Sequence, residues 1–181
     1  QMRPFIVYDS IEVYLAPVPE GEQPRHERER AAVGEMVRGL FGEEAVIAHD
    51  EWGAPCLEGR QESISVSHSR TTAAIAIDRL GRAVGIDIEE ERPQLQRVAP
   101  RVLSETEMAA YGASLRTLAR AWTLKEAAYK CAGIPGLDFR RDISLPLPPT
   151  EGVEVYAGGR KLTIAFCGRT GAEVMSLVYL K

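Results

Sequence analysis

The sequence predicts an α+β protein made of two similar lobes, each a short antiparallel sheet packed on one long helix. Three observations carry this. The strand-like segments are short and alternate with turn residues. Two strongly helical segments stand far apart, near residues 25–41 and 115–132. The order strand, helix, then about three strands occurs twice, with IEVYLAPV answered by AVGIDIEE and HERERAAVGEMVRGL by ARAWTLKEAAYKCAG. The match between halves is one of pattern, with little residue identity. It divides the chain into lobes 1–81 and 82–181, joined near DRLGR, with a crevice between them where ligands commonly bind.

The elements follow in order. PFIVYDSIEVYLAPV is rich in β-branched and aromatic residues and reads as strand. PEGEQPRHERER is polar and proline-marked, a loop leading into a helix over about 25–41. There Ala32, Val33, Met36, Val37 and Leu40 keep helical spacing, and Gly42 ends the run. DEWGAPCLEGRQE is rich in turn residues. SISVSHS and TAAIAID are short strands, DRLGR a turn, and AVGIDIEE another strand. RVLSETEMAAYGA is helical in part, with Ser104 and Glu107 spaced as a capping box. LRTLARAWTLKEAAYKCA is the second long helix, closed by Gly133 and Pro135. RDISLPL reads as strand, GVEVYAGGRKLTIAF as a hairpin about Ala157-Gly158-Gly159, and EVMSLVYLK as the last strand.

Composition narrows the class. The chain has 181 residues, 45% of them hydrophobic, and a formal net charge of −4. That balance argues against bulk binding of nucleic acid. Cys56, Cys131 and Cys167 form no CxxC pair and read as reduced thiols of a cytoplasmic protein. His26, His49 and His68 lack metal-ligand spacing. No apolar run is long enough to span a membrane, and no signal peptide opens the chain. Gln1 ahead of Met2 reads as an added residue.

Several short stretches could carry chemistry. In VGIDIEE, Asp87 and Glu89 stand two apart, so on a strand they share one face while Ile86 and Ile88 take the other. Two neighbouring carboxylates suit a hard cation that keeps waters for a phosphate. They also suit a solvated acidic face, as Glu90 and Glu91 suggest. Glu126 and Lys130 have the spacing of an ordinary helix ion pair, worth about 0.2–0.5 kcal/mol. Trp122, one turn earlier on the same face, indicates that the stripe is partly covered. In SVSHS, a hydrolase triad is a poor reading because adjacent strand residues face opposite ways. Ser67, His68 and Ser69 can instead hold phosphate oxygens, or simply build a turn. In WGAP, Gly53 and Pro55 shape a tight loop. Arg25, Arg28 and Arg30 suit either a further phosphate or a solvated helix start.

The order WGAP, SHS, GIDIE, WTLKEAAYK resembles the 4′-phosphopantetheinyl transferases, in particular the two-lobed surfactin-type branch. The resemblance covers residues 50–135 well, and the last two motifs together are specific. It implies lobes related by a pseudo-twofold, with the active site in the cleft between them. It implies transfer of the phosphopantetheine arm of coenzyme A to a serine of an apo acyl or peptidyl carrier protein, with Mg2+ as cofactor and release of 3′,5′-ADP. By resemblance Asp87, Glu89 and Glu126 hold the metal, and Glu126 serves as base for the serine hydroxyl. Lys130 contacts the attacked phosphate. Ser67 and His68 bind phosphates of coenzyme A, Gly53 and Pro55 border the adenine, and Lys125 faces the phosphates or flanks the site. A monomer follows from a site formed within one chain, with no nucleic-acid or membrane partner.

Ala54 stands where the family often has lysine, which leaves a phosphate contact to Arg25 or Arg30. Carrier proteins are acidic on their recognition helix, so Arg97, Arg101, Arg116 and Arg120 become docking candidates. Two other readings compete. A metal-dependent nuclease would need a lysine two residues after its second carboxylate, and neither Glu89 nor Glu126 has one. A non-catalytic relative that binds coenzyme A is the other.

Overall fold

The computed structural model describes residues 2–147 and 152–181. Strands β1 (Ile6–Tyr8) and β2 (Ile11–Pro17) open the chain as a hairpin, with Asp9 at its turn in the left-handed region (φ 54°). Helix α1 (Arg25–Phe41) follows, and Gly42 stops it. A two-stranded ribbon, β3 (Ile47–His49) with β4 (Pro55–Leu57), comes next. Strands β5 (Ser63–His68) and β6 (Thr72–Asp78) complete an antiparallel sheet of order β1-β2-β6-β5.

Strand β7 (Val84–Glu90) starts a second antiparallel sheet. Helices α2 (Gln94–Val102), α3 (Glu105–Tyr111), α4 (Leu115–Ala132) and the single turn α5 (Phe139–Asp142) lead to β8 (Ile143–Ser144), β9 (Glu154–Ala157), β10 (Arg160–Thr170) and β11 (Glu173–Tyr179). Their order is β7-β11-β10-β9-β8.

Side-chain alternation makes the layers. One face of the first sheet, with Tyr14, Ile64, Ile75 and Ile77, packs on Val33, Met36 and Val37 of α1. Its other face, with Ile11, Val13, Ala74 and Ala76, packs on Ile86, Ile88, Met175 and Leu177 of the second sheet. The far face of the second sheet lies under α4, through Leu124, Ala127, Ala128, Val174 and Val178. Burying apolar faces on both sides of each sheet is the main source of stability here.

Local signals explain the helix ends. Ser104 and Glu107 make the expected capping box on α3, and Ser114 with Thr117 makes a second on α4. Gly133 ends α4 at φ 64°, where a side chain would strain. Four elements differ from expectation. The opening segment, read as one strand, folds back at Asp9 into the β1–β2 hairpin. Helix α2 forms although Pro93 precedes it and Pro100 lies inside it, because Leu95, Ala99 and Leu103 bury against α4. Part of DEWGAPCLEGRQE pairs as β3–β4. RDISLPL gives one helical turn and only a two-residue strand. Leu147 closes the described part of that segment, and Pro148–Glu151 lie outside the described residues.

Candidate active site

The two sheets meet edge to edge at β5 and β7, and among the described residues no backbone ladder joins them. Serines do so instead. On β5 every second residue is serine: Ser63, Ser65 and Ser67. The Ser63 hydroxyl donates to the Arg82 carbonyl. The Ile86 amide donates to Ser65 Oγ (3.0 Å) and the Ile88 amide to Ser67 Oγ (3.1 Å). The Ser67 hydroxyl itself donates to Asp87 Oδ1 (3.0 Å). Edge groups that would otherwise be unpaired are satisfied by side chains.

Helix α4 crosses β7 over this seam, and Gly85 makes the crossing close. A Cβ there would lie 1.9 Å from the Ala127 carbonyl oxygen. The crossing brings Glu126 and Lys130 over the face that carries Asp87 and Glu89. Lys130 Nζ donates to the Val66 carbonyl (3.1 Å), the Ile86 carbonyl (2.9 Å) and Asp87 Oδ1 (3.3 Å). The helix pair Glu126–Lys130 is not formed among the described residues; Lys130 pairs with Asp87 instead.

The charge balance at this crossing is negative. Asp87 is buried, and burial pushes its carboxyl up against the pull of Lys130. Glu126 is half-buried and has no hydrogen-bond partner among the described residues. Burial first, then the Asp87 and Glu89 charges, raise it from 4.5 to about 7, against the opposing pull of Lys130. Glu89 is turned to Arg92 (3.2 Å) and to the Glu90 amide.

A cleft of about 570 Å3 opens beside the seam. Gly53, Pro55, Ser67, His68, Asp87 and Lys130 line it, as do His49, Trp52 and Tyr129, which the sequence reading did not select. Its roof is the 50–54 turn, where Asp50 Oδ1 accepts from the Trp52 and Ala54 amides and Gly53 takes φ 86°. Trp52 is 67% exposed at the mouth. His68 is half-exposed, and its Nδ1 lies 3.2 Å from Glu29, a buried carboxylate that also holds Arg25 Nε at 2.6 Å.

Several expected site residues are placed elsewhere. Lys125 is fully buried; it bonds Glu107 (2.8 Å) and the Phe139 and Ile143 carbonyls, and does not line the cleft. Arg25 and Arg30 do not line the cleft, and Arg25 is taken up by Glu29. Trp122 covers no part of it: its ring packs near Phe139 (centroids 6.4 Å apart) and against Leu95 and Leu118. Ser69 builds the β5–β6 turn, accepting from the Thr71 and Thr72 amides. Of the docking arginines, Arg97 and Arg101 are exposed, Arg116 pairs with Glu91, and Arg120 reaches the Cys167 carbonyl.

The donor chemistry of Asp87, Glu89 and Glu126 suits a hard divalent cation, because three carboxylates face one ammonium. The side chains do not converge as a set. Among the described residues no group of three or more His, Cys, Asp and Glu is gathered to hold a metal ion. Glu89 on Arg92, and Asp87 on Ser67 and Lys130, account for that.

Fold and site together define an α+β protein with a polar cleft at the join of two sheets, lined by Asp87 and Lys130, with Glu126 and Glu89 beside it and outside its lining. The family model that matches is that of the 4′-phosphopantetheinyl transferase superfamily, over residues 83–172, which run from β7 through α4 into the β10–β11 hairpin. The Glu126 and Lys130 helix and the Asp87 strand lie within that segment, while SHS and WGAP lie before it. No curated protein matches the chain. No helix among the described residues is long and apolar enough to cross a membrane.

Proposed function

We propose that this protein transfers the 4′-phosphopantetheine arm of coenzyme A to a serine of an apo acyl or peptidyl carrier protein. The observation that carries the reading is Glu126. A carboxylate with no hydrogen-bond partner among the described residues, raised to about 7 beside Asp87 and one turn from the cleft-lining Lys130, is poised to accept a proton near neutral pH. The carrier serine hydroxyl gives its proton to Glu126. Its oxygen attacks the phosphorus that bears the pantetheine arm. The bond between the two phosphates breaks, and 3′,5′-ADP leaves with the electron pair.

Asp87 and Glu126 fit as donors to Mg2+, and Glu89 joins them once released from Arg92. The ion would neutralise charge on the pyrophosphate. Lys130 reaches a phosphate by giving up one of its present bonds, Asp87 being the longest of the three. His68, held by Glu29, offers a further polar contact at the α1 rim. The Ser67 hydroxyl is already spent on Asp87 and Ile88, so its part is to hold the Asp87 strand in place. Gly53, Pro55 and Trp52 bound the end of the cleft suited to a flat ring. Lys125, Arg25 and Arg30 are not part of this proposed set. Arg97 and Arg101 on α2 remain the docking arginines.

Strand orders β2-β6-β5 and β7-β11-β10, each antiparallel, support the reading of two similar halves about the seam and of a surfactin-type protein that works as a monomer. The test is incubation with coenzyme A, Mg2+ and an apo carrier protein, followed by mass spectrometry of the carrier. The reading requires a mass gain of one arm on the carrier serine. Coenzyme A bound with no gain on carriers of fatty-acid, polyketide and peptide synthesis would leave a non-catalytic binder.

A further inference from the structure

Glu29 is an acidic residue on the buried face of α1. It shares that face with Ala32, Val33, Met36 and Val37, and is 6% exposed. A carboxylate buried beside apolar side chains costs free energy unless its oxygens are paired. Here each oxygen has one partner. Oε1 accepts from Arg25 Nε (2.6 Å), one turn earlier on the same helix. Oε2 lies 3.2 Å from His68 Nδ1, at the end of β5. The Arg25 pair alone does not explain the burial. An i,i+4 ion pair forms as well on a solvated helix face, with no carboxylate to desolvate. What the buried position adds is reach to His68.

Alternation along β5 sets the direction of that side chain. Ser65 and Ser67 face the β7 seam, while Ile64 and Val66 face α1, and His68 follows them. His68 thus stands on the opposite side of the strand from Ser67. It also lines the cleft, and its Nε2 has no partner among the described residues. A negative oxygen 3.2 Å from Nδ1 favours a hydrogen on that nitrogen, because two facing lone pairs repel. The ring then cannot flip without giving up Glu29, and Nε2 is the nitrogen left for a ligand.

We infer that Glu29 is a positioning residue for coenzyme A: it fixes the His68 ring so that Nε2 meets a ligand phosphate at the α1 rim of the cleft. This rests on the reading that the cleft takes coenzyme A. One proton between Nε2 and a phosphate oxygen makes the contact, whether an imidazolium donates it to a dianion or a protonated phosphate donates it to the ring. Glu29 touches no ligand and acts through His68. Among the described residues neither side chain pairs with Asp87 or Glu126, so the effect belongs to binding and not to the chemical step.

The test is a double-mutant cycle on coenzyme A affinity, read by isothermal titration calorimetry of the full chain. His68→Ala should weaken binding about tenfold or more. Glu29→Leu, which keeps an apolar face on α1, should weaken it about three- to tenfold. Glu29→Gln retains an acceptor for Nδ1 and should recover most of that loss. In the His68→Ala background Glu29→Leu should cost nothing further. In transfer assays Glu29→Leu should raise KM for coenzyme A more than it lowers kcat. Unchanged affinity in Glu29→Leu, no recovery in Glu29→Gln, or an equal loss in both backgrounds would overturn the inference. If Glu29→Leu does not fold, the imidazole nitrogen resonances of the wild-type protein decide: a hydrogen on Nδ1 of His68 supports the inference, and a hydrogen on Nε2 alone overturns it. Wild-type protein that binds no coenzyme A would overturn the proposed function itself, and this inference with it.

Discussion

Helix α4 carries two lysines five residues apart, and each meets a carboxylate from another element. The surroundings separate them. Lys125 has Glu107 and two carbonyls, and Glu107 in turn accepts from the Ser104 and Leu145 amides. One positive charge meets one negative charge, every donor is used, and solvent is excluded. Burial still lowers the Lys125 ammonium, against the pull of Glu107. Lys130 meets Asp87 at the rim of a cleft, with Glu126 unpartnered beside it among the described residues and the Glu89 charge acting on both carboxyls. The first arrangement is closed and holds the fold. The second is open and short of positive charge, and that shortage is what a cation and a phosphate ligand would satisfy.

The contrast can be broken from either side. Lys125→Met leaves Glu107 buried without a counter-charge and should cost about 3–5 kcal/mol by chemical denaturation. The coenzyme A affinity of the folded fraction should be unchanged, and a selective loss of that affinity would return Lys125 to the cleft. Glu126→Gln should do the reverse, lowering transfer about 10²–10⁴-fold with no loss of Tm. Full activity would remove the proposed base.

A smaller effect lies in the pH dependence of the metal-free protein. Between pH 4.5 and about 7 the folded chain keeps a proton on Glu126 that the unfolded chain has released. Stability should therefore fall as pH rises through that window, by as much as about 3 kcal/mol from this group. Denaturation curves of Glu126→Gln should lack that component. Smallest is Gly85→Ala, which pushes α4 off β7 at the Ala127 carbonyl and should cost about 1–3 kcal/mol. It should also lower transfer by displacing Glu126 from Asp87. Unchanged activity would show that the crossing distance does not set the site.

Much of this was legible in the sequence. The long helices, the GIDIE strand and its two-faced alternation follow from periodicity, and the α3 capping box from Ser104 and Glu107 alone. What failed depends on distant partners. The Lys125 cage is assembled from Glu107, Phe139 and Ile143, so no spacing within α4 reveals it. Trp122 faces α2, a helix that its prolines conceal. Glu29 was hidden in a run of charged residues, although His68 draws it into the fold. The seam had a visible signal, serine at every second position of SISVS, but its meaning needs an edge strand on the other side. Three converging carboxylates were expected, and Arg92, three residues beyond Glu89, is what holds one of them away.

The central claim is that the open end of α4 is a cation site and the closed one is not. Binding of Mn2+, as a stand-in for Mg2+, read by electron paramagnetic resonance with coenzyme A present, tests it most directly. Affinity should fall by about tenfold or more in Asp87→Asn and Glu126→Gln, and stay at the wild-type value in the folded fraction of Lys125→Met. Wild-type affinity in Glu126→Gln would contradict the account.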